Sequence, residues 1–127
     1  MDAELYESLT ELGRAGYLVH TYQMDQHGPL VVAAVLRRGP CADVLILHDE
    51  HRAYAFRTPA GAGQDVLDPA EVFWDCPAKP VRALKALLAL PQPGEKAAPT
   101  VTYAPRRGLC LPVGRRGEPM TVRRRGT

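Results

Sequence analysis

Cysteine is scarce in this chain, and the three present, Cys41, Cys76 and Cys110, are far apart. An odd number with no C-x-x-C pair argues against a disulfide framework and against a zinc knuckle. This usage predicts a reducing, cytoplasmic setting. No apolar run approaches the roughly 20 residues that cross a bilayer, and the acidic N-terminus is unlike a secretory signal. We therefore expect no membrane partner.

Motifs of the common catalytic and cofactor-binding families are also missing. The chain has no P-loop, no dinucleotide fingerprint, no H-E-x-x-H and no G-x-S-x-G. Their absence does not exclude an enzyme, but it removes the reason to predict one, and we expect no cofactor.

Residues with AT-rich codons are rare: the chain holds three Lys, one Ile and no Asn, against 17 Ala, 13 Arg, 12 Pro and 11 Gly. This bias predicts a bacterial gene of high GC content. Clusters of Arg, Gly and Pro arise easily in such a chain, so each cluster is weaker evidence for function.

Charge is divided unevenly along the chain. Residues 1–105 hold nine Lys or Arg and thirteen Asp or Glu, a net charge of −4. Residues 106–127 hold seven Arg and one Glu, a net charge of +6. An acidic body therefore has a basic end.

Two segments have the periodicity of amphipathic helices. Leucines recur along one face of residues 2–15, and Gly16 is placed to cap that helix at its C-terminus. Residues 80–90 have the same pattern. A third, short helix is predicted from Asp68, where Asp-Pro-Ala-Glu supplies a capping sequence.

Four β-prone runs with short connections lie between the first and last of these helices, at 17–24, 30–38, 42–48 and 51–57. Short connections favour an antiparallel meander, because parallel neighbours need long crossovers. The nearly continuous apolar run 30–38 predicts a central strand covered on both faces. Further short strands are predicted within 100–103, 109–113 and 120–123.

The predicted fold class is α+β. An antiparallel sheet of four or more strands has both helices, 2–15 and 80–90, on one face. Residues 1–90 form the core domain, and residues 91–99 are a Pro-rich linker. Residues 100–127 are a basic, extended segment that adds short strands, packing on the core or on a second subunit.

The compact sequence His-Asp-Glu-His at 48–51 is the candidate metal site. If Asp49 and Glu50 form a two-residue turn, His48 and His51 leave the same face of the hairpin. A zinc site needs three or four ligands; Asp49 or Glu50 could add an oxygen ligand, and His20 or His27 could approach from a neighbouring strand. The alternative is an ordinary polar hairpin tip.

Two further sites are weighed against structural roles. Cys110 and Cys41 are candidate nucleophiles, although most free cysteines are small buried hydrophobes. Phe73 and Trp74, with Tyr54, are candidate ligand-pocket residues beside the loop 58–67. The alternative role for the tryptophan is to anchor a short helix to the sheet.

The basic end is the candidate nucleic-acid site, because arginine is a preferred phosphate ligand. Its seven arginines are Arg106, Arg107, Arg115, Arg116, Arg123, Arg124 and Arg125. Residues 104–127 have no aromatic side chain for base stacking, and the apolar runs 109–113 and 120–122 are unlike a solvated arm. We therefore favour docking of this segment on the acidic body.

The function predicted from sequence is that of a small cytoplasmic bacterial protein of non-enzymatic, binding type. It acts as a homodimer, or on another protein, through strand addition and complementary charge. Nucleic-acid binding through the basic end is the alternative. A metal- or thiol-dependent enzyme is the second alternative.

Overall fold

A computed structural model describes residues 3–24, 30–116 and 120–121 of the chain. Its elements are, in order, α1 (Ala3–Arg14), β1 (Leu18–Gln23), β2 (Leu30–Arg38), β3 (Cys41–Leu47), β4 (Ala53–Pro59), β5 (Trp74–Ala78), α2 (Pro80–Leu88), a 3-10 turn (Arg107–Leu109) and β6 (Met120–Thr121). The two helices and the antiparallel sheet confirm the predicted α+β class.

The helix α1 ends as its sequence predicts. Gly16 has a φ of 96°, which glycine adopts at little cost. Its N–H donates to Gly13 O, and Tyr17 N–H donates to Leu12 O at 3.1 Å, which is the Schellman pattern. Leu12 and Tyr17 are both buried in one cluster, so the cap also directs the chain into β1.

The sheet has the strand order β5-β4-β3-β2-β1-β6, and every pairing is antiparallel. The predicted four-strand meander is therefore confirmed as β1 to β4. Its β2–β3 turn has two residues, Gly39 and Pro40, between the paired Arg38 and Cys41. Gly39 has a φ of 58°, as the first position of a II′ hairpin turn requires.

Both faces of the sheet are covered, which explains why all seven residues of β3 are buried. On one face, the helical face, Leu45 and Leu47 belong to a cluster with Leu12 of α1 and Leu84 of α2. On the other, Val44 and its neighbours belong to a second cluster. That cluster includes residues of two non-helical segments: Val66, Leu67 and Val72, then Cys110 and Leu111.

The short helix predicted from Asp68 is not formed. Residues 74–78 are instead the strand β5, which pairs with β4 in the register Ala55 to Cys76. Without this pairing, the outer backbone groups of β4 would lie buried with no partner. The long-range requirement for hydrogen bonds therefore outweighs the local capping sequence.

The strand predicted within 109–113 is also not formed. Residues 107–109 make a 3-10 turn, in which Cys110 N–H donates to Arg107 O. Within 100–103, only Tyr103 makes a β-bridge, to Val72. Of 120–123, Met120 and Thr121 form β6 against β1, and the other two lie outside the described residues.

Candidate functional site

The non-helical face is covered by two segments that run beside each other in opposite directions. We call residues 60–73 the cover loop and residues 101–116 the strap. The cover loop meets the strap at four successive places, from one side of the sheet to the other. These are Val72 with Tyr103, Pro69 with Arg107, Leu67 with Leu111, and Asp65 with Arg116. The first part of the basic end, residues 106–116, thus belongs to a covering element of the sheet.

At its first end the strap extends the β5 side of the sheet. Tyr103 and Val72 exchange both backbone hydrogen bonds at 2.9 Å. Further along, β5 carries Pro77, which has no N–H and is typical of edge strands. The strap and this proline together leave little of the edge for another strand to pair with.

The carboxylate of Asp75 ties the strap to the sheet at this end. It accepts hydrogen bonds from the hydroxyl of Tyr54 at 2.7 Å and from that of Tyr103 at 2.6 Å. The Tyr54 hydroxyl in turn accepts the backbone N–H of Arg106 at 2.9 Å. The Arg106 guanidinium lies 4.0 Å from Asp75. One buried tyrosine thus links β4, β5 and the strap.

The tyrosines of this cluster stay protonated over a wide pH range. Burial, together with the Asp75 carboxylate, raises the pKa of Tyr103 to about 12. Burial also raises the pKa of Tyr54, and the hydrogen bond to Asp75 acts in the same direction. Both hydroxyls can therefore serve as donors to one carboxylate at any physiological pH.

The middle of the strap is its apolar anchor. Leu111 is fully buried, and its N–H donates to Leu67 O at 2.8 Å. Cys110 is also buried, and burial raises the pKa of its thiol to about 11. His48 approaches from the β3–β4 turn, with its Nε2 at 2.8 Å from Leu109 O. Because a carbonyl only accepts, that nitrogen carries the proton.

At its second end the strap reaches the β1 side of the sheet. Arg116 forms a bridge with Met24, and its guanidinium donates to Asp65 and, at 3.1 Å, to Leu111 O. The same guanidinium lies 5.9 Å from the ring centroid of Tyr22, a cation–π distance. The strap therefore crosses the whole face, from beside β5 to beside β1.

A cleft of about 270 Å³ lies beside the cover loop. Its lining includes the acidic residues Asp65, Asp68 and Glu71. Each of these carboxylates already has a partner from the strap: Arg116, Arg107 and Thr102, respectively. The acidity of the cleft is therefore largely used to hold the strap.

The helical face contains a buried ion pair that the sequence did not reveal. Arg57 and Asp43 are each about 1% exposed and are joined by two hydrogen bonds, of 2.6 and 3.0 Å. Arg38 contacts the same carboxylate at 3.1 Å, and Arg57 also donates to Pro91 O. In the sequence the pair shows only as one charged residue in each of two apolar strands. A charged residue in a strand is equally expected where that strand is exposed, so the sequence does not indicate burial.

The candidate metal residues are not placed as the sequence predicted. In the β3–β4 turn, His48 pairs with Arg52, and His51 lies in the exposed loop. The loop has three residues because the Asp49 carboxylate accepts the N–H groups of both His51 and Arg52. Across the described residues, no three His, Cys, Asp or Glu side chains form a group that could hold a metal.

The candidate pocket residues are divided between the two faces of the sheet. Tyr54 belongs to the cluster under the strap, whereas Trp74 packs against the cluster on the helical face. Phe73 is half-buried, and its N–H donates to Arg57 O at the start of β5. The structure therefore does not bring these three residues into one pocket.

The other sequence-predicted residues are placed as follows. Cys41 is buried, and burial raises the pKa of its thiol. His20 lies on β1, and its Nδ1 is buried without a hydrogen-bond partner. Arg115 lies in a turn of the strap. His27, Arg123, Arg124 and Arg125 lie outside the described residues.

No family model matches the chain, and neither a curated protein nor a solved structure matches it. Among the helices that the structure describes, none has the length and apolar character needed to cross a membrane.

Proposed function

We propose that this chain is a small non-enzymatic binding protein of the bacterial cytoplasm, and that it works as a homodimer. Both helices pack on one face of the sheet, and the C-terminal segment crosses the other face and adds short β-pairings at the edges of the sheet. The strap of each copy forms the contact with its partner. Nucleic acid is the alternative ligand of the same segment.

The observation that carries this proposal is apolar exposure at the strap. Val101 is 77% exposed and Val113 is 69% exposed, although neither lies at the end of the described chain. Tyr103, between them, is also exposed on its outer side. Scattered apolar side chains are normal on a surface. Three on one short segment that also shields a sheet edge favour a contact with a second protein surface.

Charge supports the same conclusion. Arg106, Arg107 and Arg116 contact the carboxylates of Asp75, Asp68 and Asp65, respectively. Three of the seven candidate nucleic-acid arginines therefore already have acidic partners on the body. The alternative retains support from Arg106 and Arg107, whose side chains are more than half exposed.

The homodimer is tested by sedimentation velocity over a wide range of protein concentration. We expect a dimer for the unaltered protein, and a several-fold weaker one for Val101→Asp with Val113→Asp, because a buried charge opposes association. Tyr6→Asp is the matched control, since Tyr6 is an exposed aromatic residue of α1. It should leave the dimer unchanged.

A monomer at every concentration, with no partner protein retained in a pull-down, would contradict the proposal. A labelled oligonucleotide is included in the same experiments at low and high salt. Binding that falls steeply with salt would favour the nucleic-acid alternative instead. Removal of residues 106–127 is unsuitable for this comparison, because it would uncover the core around Leu111. A truncation for the oligonucleotide experiment should therefore end at Arg116, which removes Arg123, Arg124 and Arg125 and keeps the strap.

A further inference from the structure

We propose that the strap is exchanged between the two subunits of the dimer, so that the strap of each copy covers the sheet of the other. This inference rests on the homodimer proposed above and goes beyond it, because it identifies the partner surface. That surface is the acidic cover loop together with the two sheet edges. Its occupant is residues 101–116 of a second copy.

The contacts of the strap do not depend on which copy supplies it. Each is a hydrogen bond, an ion pair or an apolar contact to a body residue that every copy presents. The backbone pairing of Tyr103 with Val72, the burial of Leu111 and the ion pair of Arg116 with Asp65 are the principal ones. An exchanged dimer keeps all of them twice, so the exchange loses no interaction within either unit.

The segment that precedes the strap, residues 91–100, has the character of a hinge. Its hydrogen bonds include Glu95 N–H to Gln92 O and Ala98 N–H to Glu95 O, which stay within the segment and fold it into turns. Gly94, with a φ of 93°, permits this folded path. Three prolines in the segment favour an extended path instead.

An extended hinge is long enough for the exchange. Ten residues span about 33 Å when fully extended. A domain of about 100 residues has a radius of gyration of roughly 13 Å. The start of the hinge stays fixed to its own body, because Arg57 donates to Pro91 O at 2.6 Å. The strap can therefore reach a neighbouring sheet without disturbing the core from which it comes.

Exchange also accounts for the exposed valine at the start of the strap. When two hinges pass between two bodies, the positions next to the hinge lie at the crossing. Val101 occupies that position. Its side chain would be covered by the second copy, and burial of a valine is favourable.

The test uses two charge-reversal variants, Asp65→Arg in the body and Arg116→Asp in the strap. Each variant alone has like charges at both contacts of an exchanged dimer. A mixed dimer has opposite charges at both contacts, since each strap lies on the other copy. After joint refolding from urea, with one variant isotopically labelled, native mass spectrometry counts the three dimers. Random pairing would make the mixed dimer about half of all dimers, and we expect it instead to approach the whole population, with both homodimers depleted several-fold.

The matched control is the ion pair of Asp49 with Arg52, which lies within one β-turn at 3.0 Å. The variants Asp49→Arg and Arg52→Asp should mix in statistical proportions, because the exchange does not separate these two residues. If either strap variant fails to fold alone, circular dichroism after joint refolding is the measurement. Recovery of the folded state only in the mixture supports the exchange, and no recovery overturns it.

Statistical proportions of the strap variants would overturn the exchange and leave the homodimer standing. A monomer for the unaltered protein would overturn both. Native mass spectrometry therefore distinguishes failure of the exchange from failure of the homodimer.

Discussion

At the scale of single residues, the pair Arg57 and Asp43 is the most costly feature of the interior. Two charges with almost no exposure are stable only because hydrogen bonds satisfy them on several sides. Asp43 accepts from two arginines, and Arg57 Nη1 donates to the carbonyl of Pro91, just beyond α2. A cation near the C-terminal end of a helix is also favoured by the helix dipole.

Removal of one member of this pair should destabilise the protein strongly. We expect Asp43→Ala to lower the free energy of unfolding by about 3–5 kcal/mol, because it leaves buried arginine without its counter-charge. Urea denaturation followed by circular dichroism measures the change. Arg52→Ala, which breaks the exposed pair with Asp49 and leaves the backbone contacts of the Asp49 carboxylate in place, is the control and should leave the free energy of unfolding nearly unchanged. Similar losses of unfolding free energy for the two variants would contradict the view that burial makes the pair of Arg57 and Asp43 costly to break.

The histidines illustrate how local chemistry decides a single position. The four-residue sequence at 48–51 predicts two strand ends joined by a two-residue turn. The Asp49 side chain instead binds two backbone N–H groups, and this lengthens the loop by one residue. The change of register separates His48 from His51. Sequence spacing alone could not decide between a two-residue and a three-residue loop, because both lengths fit the same residues.

At the scale of elements, the strap and β5 depend on each other. The strand β5 is only five residues long, and the strap continues its side of the sheet at Val72. The Tyr54 hydroxyl connects them, since it donates to Asp75 of β5 and accepts from Arg106 of the strap. Loss of this hydroxyl leaves the partly buried carboxylate of Asp75 with one donor fewer and the backbone N–H of Arg106 without this acceptor.

We expect Tyr54→Phe to loosen the strap more than it destabilises the core. Trypsin cleavage after Arg106 or Arg107 should become several-fold faster, because cleavage requires local opening of the strap. The global free energy of unfolding should fall by about 1–3 kcal/mol. Tyr6→Phe, on the exposed surface of α1, is the control for both measurements. Unchanged cleavage in Tyr54→Phe would contradict the role given to this hydroxyl.

The sequence predicts an element correctly where the residues that determine it are close together along the chain, and fails where they are far apart. The two helices and the four meander strands were predicted correctly, because their periodicity and turns are local. The strand β5 was missed, because its residues resemble a helix start and only the open edge of β4 makes them a strand. The sequence predicts that the strap docks on the acidic body, but its path across the sheet depends on contacts between residues more than thirty positions apart.

At the scale of the whole molecule, the protein should be sensitive to alkaline pH. Burial raises the pKa of Tyr17 and of Tyr103 to about 12, and that of Cys110 to about 11. It also raises that of Tyr54. In each case the folded state holds its proton more tightly than the unfolded chain. The stability that these groups contribute is therefore fully present below their pKa values in the unfolded chain. It is lost as the pH rises toward their pKa values in the folded state.

We expect the free energy of unfolding to be steady up to about pH 9 and to fall steadily between about pH 9 and pH 12. The midpoint of urea denaturation, measured against pH, tests this directly. The replacement Tyr103→Phe should reduce the slope near the upper end, since it removes one of the titrating groups. A stability that stays constant through this range would show that the hydroxyls and the thiol are not held as the structure indicates.

The sequence by itself determined the helices, the antiparallel meander and the division into an acidic body and a basic end, whereas the fully buried strand is β3 and not the predicted β2. These features follow from periodicity, turn chemistry and composition, which act over a few residues. Only the tertiary structure decided that the basic arginines meet carboxylates of the cover loop, that Tyr54 joins three elements, and that Arg57 and Asp43 are buried. Each of these depends on backbone groups and charges that become neighbours only when the sheet brings distant segments together.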